Sequence, residues 1–218
     1  MNTSAESSRK RLIISLLLNV IIVIMEIIGL VATIQTHGAS LFMYYTEDSN
    51  IFALIACSLY AISVLRCLVK KEPHPPIRMK LLKYTATCCL AVTFTVVICV
   101  LAPPMGAEGF KMMLFGGSML YHHFLCPVLA LISFIFFETE PSLEKRYTLY
   151  ALIPTITYAL VSVVLNIAHV MVGPYPFLLV YRQPVYMSCV WFVIIIGGAY
   201  LMACLIRKLN NRSIERKS

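Results

Sequence analysis

Residues 44–65 read YYTEDSNIFALIACSLYAISVL. Five of the first seven positions are strongly polar, two of them acidic, and they open directly into a run with no charge up to Arg66. The run shows no alternation of period two, so it reads as a helix rather than a strand. Continued to residue 69, it has the roughly 20 residues that a helix needs to cross a hydrocarbon core. The polar cluster therefore sits at the mouth of a membrane span.

The rest of the chain repeats the pattern. Of 218 residues, 60% are apolar and only 13% are charged, against about a quarter charged in an average soluble domain. Runs at about 12–35, 49–69, 81–102, 117–137, 148–172 and 185–206 each qualify as spans. Pro and Gly gather between them, at KKEPHPP (70–76), APPMGAEG (102–109) and GPYP (173–176), which predicts loops there. The expected fold is an all-α, polytopic six-helix transmembrane bundle forming one integral membrane domain over 1–218, with no transmembrane β-barrel and no internal repeat. The first span carries a basic flank and is too long for a signal-peptide core, so it is expected to stay uncleaved.

Orientation follows from Lys and Arg. With the N-terminus inside, sixteen of the eighteen fall on the inner side, including Arg9, Lys10, Arg11, Arg66, Lys70, Lys71, Lys80, Lys83 and Arg216 and Lys217 near the C-terminus. Only Lys111 and Arg182 fall outside. That asymmetry predicts an N-in, C-in topology in a cell membrane, with the basic flanks meeting anionic lipids. It accounts for the net charge of +8 without nucleic acid as a partner. The eight cysteines have no C-x-x-C spacing and read as packing residues.

Polar groups inside a membrane span are costly and mark function by default. In the N-in topology, Glu26, then Thr46, Glu47, Asp48 and Asn50, then His122 and His123, then Asn166 and His169 all reach the outer half from four different spans. Taken singly, each has a structural explanation: Thr46 or Asp48 as a helix cap, the histidines half-solvated at the headgroups. Taken together they predict a shared polar pocket, with His122, His123 or His169 as the partner of Glu26. A hydroxyl becomes a nucleophile when a nearby base takes its proton, a histidine is the usual base, and an acid orients that histidine. Thr46 as nucleophile, a histidine as base and Glu26 or Asp48 as orienting acid would satisfy this pattern. Cys126, four residues after His122, is a competing nucleophile but lies deeper and reads as structural. Pro127 makes a kink plausible beside it. A metal site from His122, His123, His169 and Glu26 lacks any chelating spacing, since adjacent histidines on a helix point about 100° apart. No cofactor is implied.

YTEDSNIF (45–52), LYHHFLCPVLA (120–130), YALIPTITYAL (150–160) and GPYPFLLV (173–180) resemble, in order and spacing, a prokaryotic six-span family with a T-x-x-S-N, H-x-x-x-P and P-Y-P-F pattern. The resemblance covers about residues 40–200. Asp48 stands where that pattern has an amide, and Tyr45 where it has Phe. More distantly, the chain is similar to the androgen-induced and androgen-dependent membrane hydrolases, threonine hydrolases that cleave fatty-acid esters of hydroxy fatty acids. This resemblance implies Thr46 as nucleophile. It implies His122 as base by the distance to the following proline in the animal enzymes, or His123 by the prokaryotic pattern. The implied activity is hydrolysis of an acyl ester by a pocket in the outer leaflet, with Asn50 as the expected oxyanion donor. The alternative is a non-enzymatic protein that binds or transports a lipid or small ligand through the same cluster.

Overall fold

The computed structural model describes residues 2–138 and 140–215. All regular secondary structure among them is helical. The helices are α1 (Asn2–His37), α2 (Tyr45–Lys70), α3 (Ile77–Val96), α4 (Gly106–Phe115), α5 (Cys126–Phe136), α6 (Tyr147–Tyr150), α7 (Ile153–Ile167) and α8 (Val185–Glu215). Arg216 and Lys217, counted in the inner charge, lie outside the described residues.

Five helical stretches are long and apolar enough to cross a membrane: Glu6–Met43, Tyr45–Lys70, Ile77–Phe115, Tyr147–Ile167 and Val185–Ser213. The expected span at 117–137 is shorter, as an apolar helix over Leu120–Phe136. At about 1.5 Å per residue it falls a few ångströms short of a hydrocarbon core about 30 Å thick. The expected loop at 102–109 is largely helical as well. Pro103–Met105 form one tight turn, and α4 begins at Gly106, whose φ of 62° suits a residue without Cβ.

The bundle is patterned opposite to a soluble one. On α1 the buried stripe is Leu12, Ser15, Asn19, Ile22, Glu26, Gly29 and Thr33, with alternating steps of three and four. The exposed face is Ile13, Leu17, Val20, Ile21, Ile24, Ile28 and Val31. Small and polar groups thus face the neighbouring helices, and branched apolar groups face outward. This is the arrangement favoured where the surroundings are as apolar as the side chains and close packing drives helix association. Along that stripe α1 packs on α2 and α5, and α3 packs on α2, α5 and α8. Ile22, Ala53, Ala56, Cys57, Ala86, Leu90, Cys126 and Ala130 form the shared core. Cys126 is buried in it, as a packing residue would be.

α8 is anchored by polar contacts. Asn210 donates to the carbonyls of Phe134 (2.6 Å) and Glu138 (3.1 Å) and accepts from Lys80 Nζ (2.8 Å). Tyr84 donates to the Ala203 carbonyl at 2.7 Å. Lys80 and Lys83, expected as solvated flanks, are both fully buried. They fall on the same stripe of α3 as Tyr84, Thr87 and Leu90, so the helix turns them into the bundle.

Candidate functional site

The first turn of α2 and the segment before α5 build the site. Tyr44 is the N-cap of α2, and no side chain caps the helix. Thr46 and Asp48 lie inside the first turn instead. The Thr46 N–H, one of the donors a helix start leaves unpaired, donates to the Tyr175 hydroxyl at 3.3 Å. The Thr46 hydroxyl is also 3.3 Å from the Tyr175 oxygen. Glu47 and Asp48 in this turn suit the positive end of the helix dipole.

His122 and His123 lie in a wide π turn, Leu120–Leu125. Its cause is two residues further on. Pro127 has no N–H to return to the carbonyl four residues before it, so the helix leading into it cannot keep regular bonding. Such turns re-aim side chains. Both histidines are buried, not half-solvated. They point to different places: His123 Nδ1 is 2.7 Å from the Met113 carbonyl near the end of α4, while His122 points into the bundle.

His122 lies between two carboxylates. Its Nδ1 is 3.1 Å from Glu47 Oε2, and its Nε2 is 3.6 Å from Glu26 Oε2, an ion-pair distance rather than a hydrogen bond. His122 and Glu26 are each 1% exposed. Glu47 reaches the surface, at 13%. Neither Glu26 oxygen has a partner at full hydrogen-bond geometry, and the Cys126 thiol is the polar group beside the carboxyl. Gly29, one turn beyond Glu26 on α1, makes room for the ring. A Cβ built there would overlap Nε2 and lie 2.6 Å from Cδ2.

Asn50 joins the two segments. Its Nδ2 donates to the Thr46 carbonyl at 2.7 Å and to the His122 carbonyl at 3.4 Å. Thr46 and His122, 76 residues apart in sequence, are therefore held in one cluster. Asn50 is a clamp between main chains, and the donor beside the Thr46 hydroxyl is Tyr175. Neither histidine hydrogen-bonds to Thr46.

Thr46 lines a small cavity of about 40 Å³ with Tyr45, Thr93, Thr155, Tyr158, Tyr175 and Phe177. This shares Val92, Val96 and Ile195 with an apolar furrow of about 170 Å³ between α3 and α8. Asp48 lines a different cavity, of about 370 Å³, between α2 and α7, beside Phe42, Tyr45 and Tyr158.

The structure thus gathers Glu26, Thr46, Asn50 and His122, and turns His123 and Asp48 elsewhere. His169 does not join them: it is exposed at a φ of 57° and stacks on Tyr181 with ring centroids 4.4 Å apart. Asn166 is buried near Gly173, with its amide nitrogen unpaired. Two members were not singled out from sequence. Glu47 was grouped with its neighbours at the helix mouth, and Tyr175 lay within the quoted GPYPFLLV motif. Only the fold directs them at His122 and Thr46. Among the described residues, no group of three or more His, Cys, Asp or Glu is arranged to hold a metal ion. No family model, curated protein or solved structure matches the chain.

Proposed function

We propose that the chain is a membrane-embedded hydrolase of acyl esters, with six crossings in which Leu120–Phe136 is the short fourth, and with its site in the outer half of a cell membrane. One observation carries this reading. Thr46 lines a small cavity that shares the walls Val92, Val96 and Ile195 with an apolar furrow, and Asn50 ties its segment to the one carrying His122, which lies against the buried Glu26. The resemblance of the same motifs to threonine hydrolases supports the same residues.

In this mechanism an acyl chain enters sideways from lipid along the α3–α8 furrow and brings its carbonyl to Thr46. Glu47, the partly exposed member of the cluster, swings away from His122 Nδ1 and frees it. His122 takes the Thr46 proton as the hydroxyl attacks, and passes it to the departing alkoxide. Glu26 holds the imidazolium from the Nε2 side. The Tyr175 hydroxyl is placed to donate to the developing oxyanion. Water then cleaves the acyl-threonine with the same base.

The test is labelling of the purified, detergent-solubilised protein with a fluorophosphonate. Wild type is expected to label, and Thr46→Ala to remain unlabelled. A folded wild type that does not label would end the hydrolase reading.

The furrow adds a second expectation. Gly198 lines it, and a Cβ built there meets nothing within 4 Å. Gly198→Leu should fold, because leucine is a better helix former than glycine. It should slow labelling by a long-chain alkyl fluorophosphonate about tenfold or more, equivalent to about 1.4 kcal/mol, and leave a short-chain probe unaffected. Equal slowing of both probes would remove the furrow as the acyl site.

A second reading is favoured by Asp48. Its carboxylate has no ion-pair partner among the described residues and lines the 370 Å³ cavity with aromatic walls. The chain would then be a non-enzymatic protein that binds or carries a small ligand bearing a positive group.

A further inference from the structure

The buried ionisable groups do not stop at His122. Two helical turns back along α1 from Glu26, about 10 Å at 1.5 Å per residue, Asn19 donates to Glu138 Oε1 at 2.7 Å. Ser133 donates to the same oxygen at 2.6 Å. Lys83 of α3 is fully buried and lies within electrostatic reach of both Glu26 and Glu138. Its Nζ has one hydrogen bond, to Cys57 Sγ at 3.0 Å. Cys57 is ten residues into α2 from Glu47, about 15 Å down that helix. At the far end, Lys80 Nζ bonds to Asn210 and to the Pro141 carbonyl.

A row therefore runs from one end of the bundle to the other: Glu47, His122, Glu26, Lys83, Glu138, Lys80. It alternates in sign and draws on α1, α2, α3 and the segments flanking α5. A purely structural network would close such groups into ion pairs, because an uncompensated charge in the interior is expensive. This row is not closed at Lys83, which has no carboxylate within 4 Å among the described residues. Oε2 of Glu138 is buried without a hydrogen-bond partner, and the buried Glu26 carboxyl has only the Cys126 thiol beside it. Buried, unpaired polar atoms of this kind are commonly met by internal water. A line of buried titratable groups that crosses the interior of a helical bundle is the makings of a proton relay.

We propose that this row conducts protons across the bundle, entering at the part-exposed Glu47 and passing through His122, Glu26, Lys83 and Glu138. Each step moves one proton along a hydrogen bond or through an intervening water, and no other bond changes. The path does not depend on ester hydrolysis, and fluorophosphonate labelling and proton flux can fail separately.

The test uses the full chain reconstituted in phosphatidylcholine–phosphatidylglycerol vesicles with an internal pH-sensitive dye and a potassium–valinomycin voltage. Wild type is expected to acidify or alkalinise the lumen at least about tenfold faster than protein-free vesicles. Glu138→Gln keeps an acceptor oxygen for Asn19 and Ser133 and removes only the titration, so it should fold while its flux falls to the protein-free leak. Lys83→Met and Glu26→Gln should do the same, and Arg146→Ala, an exposed site, should conduct like wild type. The proposal is overturned if folded wild type is no faster than empty vesicles, or if Glu138→Gln and Glu26→Gln, shown to be folded by thermal unfolding, conduct at the wild-type rate.

Discussion

Gly29→Ala should disable the site although Gly29 has no side chain to contribute. A single methyl there would occupy the space of the His122 ring, overlapping Nε2 and lying 2.6 Å from Cδ2. α1 is held against α2 and α5 along the stripe that contains Gly29, so the helix cannot retreat without opening Glu26 and Asn19 as well. The ring must move instead, and it then leaves Glu26 on one side or Glu47 on the other. Overpacking of this kind costs about 1–3 kcal/mol. The usual effect of Gly→Ala within a helix is a gain of about 0.8–1.0 kcal/mol, so the sign itself is diagnostic. We expect a lower midpoint of thermal unfolding in detergent and a labelling rate reduced at least about tenfold, or about 1.4 kcal/mol. Gly197→Ala on α8, where a Cβ meets nothing within 4 Å, is the control and should gain stability. A Gly29→Ala protein as stable and as reactive as wild type would mean that His122 does not need its place beside Glu26.

The second large effect separates the two histidines. His122→Ala should cost about 1–3 kcal/mol, because it leaves the buried Glu26 carboxyl without its polar partner. Here the remaining partner is Glu26, 1% exposed, with only the Cys126 thiol beside its carboxyl. His123→Ala removes one hydrogen bond to the Met113 carbonyl and should cost about 1 kcal/mol. Labelling of Thr46 should be lost in His122→Ala and kept in His123→Ala. The double variant His122→Leu/Glu26→Leu should recover most of the stability, since apolar groups can replace both partners of a buried polar contact at little cost, but not the labelling. Unfolding in mixed micelles gives the first comparison and the fluorophosphonate gives the second. Loss of labelling in His123→Ala alone would transfer the role of base to His123.

Glu26, Asn50 and His122 were legible because each is a polar group within an apolar run. Their register adds to this: Asn19, Glu26, Gly29 and Thr33 follow at intervals of seven, three and four residues, so they share one face of α1. The same register places Lys80 and Lys83 with Thr87 and Leu90. Their position beside KKEPHPP nevertheless made them look like part of the basic flank, and charge near a span end is normally solvated. The shift of His123 away from the cluster was not legible. It follows from the π turn before Pro127, which changes the direction of each side chain in a way a regular helical count does not reproduce.

Composition and hydropathy by themselves determined an all-helical chain with apolar segments of membrane-spanning length, because those depend on residue type and run length alone. They also marked which polar residues had to be explained. Only the tertiary structure decided which of them meet. The pairing of His122 with Glu26 and Glu47, the contact of Tyr175 with Thr46, the Asn50 clamp and the bond of Lys83 to Cys57 all join segments far apart in the chain. Such contacts depend on how helices rotate and cross, and that is set by the packing of small residues such as Gly29, Ala53, Ala56 and Ala130 across the whole bundle.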